Sequence, residues 1–437
     1  MGNLTSEIIL VVDLTNGETY KENINDEFYQ VHIGGAAANK ALYDKYADDD
    51  PIVLGTGLLT GTLVPGSSLG VITAKSPRTG KICHAPFNLS GGMELKYTGF
   101  DFVVVKGVSK KPVYLWLHDS VADIKDASAL WGKDTWTTTD TLRKNLGEDL
   151  IQILGIGEAG EKCSDLAQII LNYWSTGDRW GFGALLGQKN VKAIAMRGMG
   201  LFDMDDENGF LDLCFELLSE VKRGGLSGKE GIVDIANELS VDITDWLSPV
   251  FHRNSSCFNT PYPANTFLKF NEDPKILKET DVAEPGVLVT DIFELLEFKE
   301  AGLSALDTAE ILQTCLKFGI DPVAVAQICI KDGKMSSPAE IKNALGDLKG
   351  SVNTTGTGSI SPCCPKRPLF FDFGLSKGSD TAKWWERRQA EAYIFGINQI
   401  FALMSPFLST EKLIELVNLG TGLGITKDSL NNAIDTL

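Results

Sequence analysis

An α+β chain is what the sequence predicts, on three observations: short β-type runs fill residues 1–205, the apolar period lengthens to that of helices over 206–437, and an aperiodic stretch at 351–379 interrupts the second half. The strand candidates come in order as EIILVVDL, PIVLGTG, FDFVVVKG, PVYLWLH, DLIQILGIG and KAIAMRG, each bounded by Gly, Pro or Asp. Within FDFVVVKGVSKKPVYLWLH, the connection Gly107 to Pro112 predicts a hairpin of antiparallel strands.

From residue 206 onward NGFLDLCFELLSEVKR places Phe210, Leu213, Leu217 and Val221 on one helical face and ends at Gly224 and Gly225. Ser337-Pro338 with Glu340 is a capping box with proline in the first turn. Further helices are expected at 304–318, 380–403, 409–419 and 427–436. The stretch 351–379 is rich in Gly, Ser, Thr and Pro and reads as a long loop.

Composition narrows the function. With 437 residues, 43% hydrophobic and 22% charged, the chain is long enough for two or three globular domains. A formal net charge of -18 without a basic patch argues against nucleic acid and against an anionic membrane surface. The apolar run YIFGINQIFALMSPF is interrupted by Gly396, Asn398, Gln399 and Pro406, and it falls short of the roughly 20 residues a membrane span needs. It reads as a buried helix. The N-terminal stretch lacks the regions of a signal peptide, and the eight cysteines form no disulfide framework, so the cytoplasm is the expected compartment. Cys363 and Cys364, between two prolines, read as a turn.

Among short motifs, Gly155-Ile156-Gly157-Glu158-Ala159-Gly160 has dinucleotide-binding spacing. No second strand ending in an acid follows about twenty residues on, so it reads as a structural turn. Gly34-Gly35, Gly55 to Gly70, and TGDRWGFG with Gly177, Arg179, Gly181 and Gly183 could together cradle a phosphorylated ligand. The four histidines show no zinc-hydrolase spacing. His84, Cys83, Arg179 and Asp178 are candidates for a new titratable constellation.

The order of segments carries more than any one of them. LLTGT, TAKSPRTG, ELKYTGFDFVVVKGVSKKPVYLWL, DASALWGKDTWTTTDTLRKNLG, GIGEAGE and GALLGQKNVKAIAM follow one another over most of residues 8–200. This series resembles the tungsten-dependent aldehyde ferredoxin oxidoreductase family, and FGINQIFALM with LSTEKLIELVNLGTGLGIT resembles its C-terminal helices. The resemblance implies a paired β-sheet base for a tungsten bis-pterin over 1–205, a shortened helical part over 206–437, and a mild expectation of a homodimer. It implies cofactor contacts at Gly34, Gly35, Ser76, Gly177, Arg179, Gly181, Gly183 and Asp321.

The resemblance also implies a [4Fe-4S] cluster on a Cys-x-x-Cys-x-x-x-Cys run and a fourth cysteine. Here Cys257 matches the first ligand, while Thr260, Ala264 and Asn398 stand at the other three, leaving a lone remnant and no expected metal site. Cubane clusters require thiolate at essentially every corner. The two copies of the family's Asp-x-x-Gly-Leu-Cys/Asp motif read Leu316 to Asp321 and Tyr393 to Asn398, so both leading aspartates are missing. Two expected arginines appear as Leu69 and Ser175. Three readings stand open: a cluster-free relative whose pocket binds another small-molecule ligand, serves a partner subunit or catalyses a non-redox reaction, a working tungsten or molybdenum pterin aldehyde oxidoreductase with a different electron route, and a scaffolding or regulatory subunit with an empty pocket.

Overall fold

The computed structural model describes residues 4–200, 202–223, 231–238, 241–269, 286–333, 335, 337–350, 379–405 and 407–437. Fifteen strands form three sheets among these residues. β1 (Ile8–Asp13), β2 (Glu18–Asn23), β3 (Ile52–Thr56), β4 (Gly70–Lys75), β5 (Ile82–Phe87) and β6 (Phe102–Lys106) make the first, in the order β2-β1-β6-β3-β4-β5. β7 (Val113–His118), β8 (Val121–Asp126), β9 (Gln152–Gly155), β10 (Ile170–Leu171), β11 (Trp174–Ser175) and β12 (Val191–Arg197) make the second, in the order β11-β10-β9-β12-β7-β8. β13 (Phe251–Ser255), β14 (Asn265–Lys269) and β15 (Gly286–Val289) make the third.

The first two sheets stack. Alternate residues of β1 (Leu10, Val12), β6 (Val103, Val105), β7 (Leu115, Leu117) and β12 (Ile194, Met196) share one buried core, as period-two alternation requires. The opposite face of the first sheet (Ile9, Val11, Val53, Val104) packs on Tyr29, Ala37 and Leu42 of the helices Asp26–His32 and Gly35–Lys45. Ile153, Ala193 and Ala195 of the second sheet pack on Leu142 of the helix Thr135–Leu146. An α+β fold with paired sheets is what the first half forms.

Two local expectations are corrected. β6 and β7 are not a hairpin: β6 lies between β1 and β3 in the first sheet, β7 between β12 and β8 in the second. The chain from 107 to 112 crosses between layers, and the burial patterns differ accordingly. Phe102 to Val105 is buried on both faces, whereas Val113 to His118 alternates. Pairing is also mixed, since β1 with β6 and β7 with β12 run parallel.

The second correction concerns 380–403, which is two helices, Ser379–Phe395 and Gln399–Met404. Gly396 breaks them with φ of 88°, and Asn398 caps the second by accepting the Phe401 N–H at 2.9 Å. The helices Glu207–Arg223, Ala305–Phe318, Pro338–Leu348, Thr410–Thr421 and Lys427–Asp435 stand where periodicity placed them, the third with both halves of its capping box. Gly224, Gly225, Cys363, Cys364 and the stretch 351–378 lie outside the described residues. The third sheet, within the helical half, was not legible from its pattern. Among the described residues no helix is long and apolar enough to cross a membrane.

Candidate functional site

A small cleft of about 40 Å³ opens where the end of β5, the turn 175–180, the segment 290–293 and the start of the helix Gln399–Met404 meet. Pro86, Leu89, Trp180, Phe293 and Tyr393 give it apolar walls. Asn88, Asn265, Asn398, Gln399, Ser175 and Cys257 give it polar ones.

Cys257 is buried, and burial pushes its thiol above the ordinary value. Its Sγ accepts from Asn398 Nδ2 at 3.4 Å and from Asn265 Nδ2 at 3.5 Å. The amides continue the network, Asn88 Nδ2 donating to Gln399 Oε1 at 3.0 Å and Ser68 Oγ to Asn88 Oδ1 at 3.3 Å. The structure thus brings Cys257 and Asn398 together from 141 residues apart. Thr260 Oγ1 instead donates to the Phe258 carbonyl at 2.9 Å, and Ala264 lines the cleft with a methyl group.

The other singled-out residues divide into those at the cleft and those used for packing. Gly177 lines the cleft with φ of 81°, and a Cβ there would find nothing nearer than 4.0 Å. Arg179 lies behind it, ion-paired to Asp291 and with its guanidinium 5.2 Å over the Phe293 ring. Ser76 Oγ donates to the Trp180 carbonyl at 2.7 Å and holds the turn rather than lining the cleft.

The glycines 34, 35, 181 and 183 face protein. A Cβ on Gly35 would overlap the Tyr393 carbonyl oxygen, and one on Gly34 would stand 3.3 Å from the Ile394 oxygen. Gly181 and Gly183 would meet Asp165 and Ala167 backbone at 2.5 and 2.8 Å. Gly157 would overlap the Phe318 carbonyl, so the G-x-G-x-x-G run serves close backbone approach, as the turn reading expects.

Asp321 caps the helix Pro322–Ala326 through the Val323 N–H at 3.0 Å and pairs with Arg78 Nη1 at 3.6 Å. Burial holds its carboxyl above the usual range. Asp178 accepts from the backbone N–H groups of Trp180, Phe182 and Ile169 at 2.9, 3.1 and 3.2 Å. Desolvation still pushes it up to about 7. His84 Nδ1 is 2.8 Å from Thr73 Oγ1, and burial takes its ring down to about 3, a neutral imidazole at any physiological pH. Cys83, its neighbour on β5, projects to the opposite face into the shared core, which keeps the pair from acting together. Leu69 and Tyr393 are fully buried in that core and Leu316 in the adjoining one.

Sequence reasoning missed Asp291 and Glu294, which stand at one end of the helix Phe293–Glu300. Glu294 is 3% exposed, and its Oε1 has no hydrogen-bond partner. Burial and the Asp291 charge push it well above the ordinary glutamate value. For Glu294 a signal lies in FELLEFKE, where Glu294 and Glu297 stand three residues apart among apolar side chains; Asp291 precedes that run.

With this geometry in view, comparison with known proteins is decisive for one part of the chain. Residues 9–198 match the family described as aldehyde ferredoxin oxidoreductase, N-terminal domain. Over that stretch the chain is similar to the N-terminal domain of the aldehyde ferredoxin oxidoreductase family. The tungsten-containing aldehyde ferredoxin oxidoreductase of Pyrococcus abyssi is 34% identical over 247 residues, covering 53% of this chain and 40% of the relative. That of Thermococcus kodakarensis is 29% identical over 350 residues, 72% of this chain and 56% of the relative. A protein of Pyrococcus furiosus named as the WOR-like subunit of an aliphatic sulfonate oxidoreductase is 28% identical over 215 residues, 44% of this chain and 34% of its own. The matches thus span only about a third to just over half the length of these relatives. Among solved structures, the active site complex BamBC of benzoyl coenzyme A reductase, bound to 1,5-dienoyl-CoA, aligns with a TM-score of 0.65 at 19% identity. It covers 98% of this chain and 65% of that one, and it shows the same fold.

Proposed function

We propose that this chain is a cluster-free relative of the aldehyde ferredoxin oxidoreductases, whose cleft takes a non-redox ligand, in a protein that works beside a partner subunit. The observation that carries the reading is the hydrogen bonding of Cys257. Its sulfur is occupied by two amide N–H groups, one of them from Asn398, the residue standing for the fourth cluster ligand. One thiol, a hydroxyl turned toward a carbonyl, a methyl and an amide are not a donor set for a [4Fe-4S] cube.

A tungsten or molybdenum bis-pterin fits poorly as well. Leu69, Leu316 and Tyr393 are core side chains, Asp321 and Arg179 are committed to Arg78 and Asp291, and the cleft is about 40 Å³. Pockets for ligands of drug size run to about 300–1,000 Å³. We therefore read residues 1–205 as the retained scaffold and 206–437 as its modified cover, in a cytoplasmic protein. Of the residues first expected to touch a cofactor, Gly177 and Arg179 are the ones we assign to the cleft. The subunit role draws on the relatives, one named as a subunit and another solved within a complex.

The test is to restore the donor set. After anaerobic reconstitution with iron and sulfide, the wild type should show no cubane absorption or reduced-state EPR signal. The triple variant Thr260→Cys, Ala264→Cys, Asn398→Cys should acquire both. A wild type that takes up the cluster refutes the proposal, and a folded triple variant that stays colourless refutes the assignment of the four positions.

A further inference from the structure

A second hollow, of about 270 Å³, lies beside the cleft and shares only Leu89 with it. The turn between β10 and β11 supplies Asn172 and Tyr173, β11 supplies Trp174, and the end of β13 supplies Ser255 with Ser256 beyond it. Arg143, from the helix Thr135–Leu146, is the one charged residue among those lining it. It is 7% exposed. Its Nε and Nη2 donate to the Ile151 carbonyl at 3.1 and 3.0 Å, and its Nη1 to the Tyr173 hydroxyl at 3.3 Å. Both acceptors are neutral, and among the described residues no carboxylate pairs with Arg143 directly. Asp140, which is exposed, is linked to it through the Tyr173 hydroxyl, a donor to Asp140 Oδ1 at 2.6 Å. A guanidinium has five N–H groups, so one on each Nη is left over. Buried charges in native folds are paired, and a cation lining a cavity without a carboxylate points to an anion that arrives from outside.

We infer that this hollow binds a compact organic carboxylate, its two oxygens on the Arg143 Nη atoms and a short hydrocarbon tail against Leu89, Leu288 and Trp174. The rest of the lining agrees. The hydroxyls of Ser90, Ser255 and Ser256 and the Trp174 indole N–H make no side-chain hydrogen bond among the described residues, so donors are in surplus. The two amide oxygens of the lining are already taken, Asn172 Oδ1 by the Ile153 N–H at 2.9 Å and Gln152 Oε1 by Asn172 Nδ2 at 2.8 Å. A cationic ligand would meet Arg143 and no acid. An inorganic phosphate, with more than one charge near neutrality, would find a single cation and leave the apolar wall bare. Size fits a ligand of roughly nine water-sized groups at about 30 Å³ each, close to hexanoate. The inference stands apart from the reading of the cleft: of the cleft's residues it uses Leu89 alone, and it requires neither the presence nor the absence of a cluster.

The experiment is calorimetric titration of the whole chain at neutral pH with hexanoate, hexylammonium, hexanol and inorganic phosphate. A ligand of this size reaches a dissociation constant of about a millimolar, so the titration runs to tens of millimolar. Saturable hexanoate binding is expected, at least tenfold tighter than any of the other three. Arg143→Met should weaken it at least tenfold. Because Arg143 also holds the Ile151 carbonyl, a second variant guards against misfolding: Ser256 is exposed, and Ser256→Asp sets a carboxylate at the rim without touching the core. It too should weaken hexanoate at least tenfold, and thermal melts establish that each variant is folded. No saturable hexanoate binding by the folded wild type would overturn the inference. So would hexylammonium, hexanol or phosphate binding as tightly as hexanoate, or hexanoate binding that a folded Arg143→Met or Ser256→Asp protein keeps unchanged.

Discussion

Replacing Gly35 by alanine tests whether the glycine turn before the helix Gly35–Lys45 is a ligand cradle or a packing contact. Gly35 has φ of 51°, and an added Cβ would overlap the Tyr393 carbonyl oxygen, a backbone atom that cannot swing away. The left-handed backbone costs about 1–2 kcal/mol for a residue with a Cβ. Forcing the helix Ser379–Phe395 outward adds about 1–3 kcal/mol. The sum is about 2–5 kcal/mol. Gly177→Ala is the control, with φ of 81° but nothing nearer than 4.0 Å, so it should cost about 1–2 kcal/mol. Urea unfolding followed by tryptophan fluorescence reads the difference. A chain of this length need not unfold in one step, so the comparison uses the first transition, where about 3 kcal/mol moves the midpoint by about 1 M at a slope near 3 kcal/mol/M. A Gly35→Ala protein that unfolds with the wild type, or one less perturbed than Gly177→Ala, would refute the packing argument.

Three other outcomes follow from the same contacts. Glu294 has a raised native pKa, so the stability of its neutral form is fully present below the ordinary glutamate value of 4.5 and is lost as pH rises through and above neutrality. Wild-type melting temperature should fall across that window and Glu294→Gln should flatten it, with Asp178, at about 7, leaving a residual slope of the same sign. Asp291→Ala removes the ion-pair partner of a buried guanidinium and should cost about 3–5 kcal/mol, while the double variant Arg179→Met, Asp291→Leu should return close to wild type in denaturant unfolding. Asn398→Ala removes a helix cap and a donor to Cys257, and should destabilise by about 1–2 kcal/mol in the same assay.

What could be read from the residues was what local chemistry dictates. The strands EIILVVDL and KAIAMRG, the amphipathic helix with Phe210 and Leu217, and the capping box at Ser337 each carry their signal within a few residues. The layer to which a strand belongs does not. β6 and β7 are six residues apart in sequence and lie in different sheets, because the choice is made by what covers each face. The third sheet escaped notice since FHRNS has no alternation of its own and is held by β14. At the site, the order of motifs pointed to the N-terminal scaffold, and Thr260, Ala264 and Asn398 could be read against the cysteine spacing that the resemblance implies. The pairing of Arg179 with Asp291 came from segments more than a hundred residues apart, beyond any spacing rule.

The most direct test of the central claim is elemental analysis for iron, tungsten and molybdenum per chain in full-length protein purified anaerobically from a host able to make the pterin cofactor. A folded protein with none of the three at stoichiometric level is the predicted result. About four irons, or close to one tungsten or molybdenum per chain, would contradict it and return the chain to the redox chemistry of its relatives.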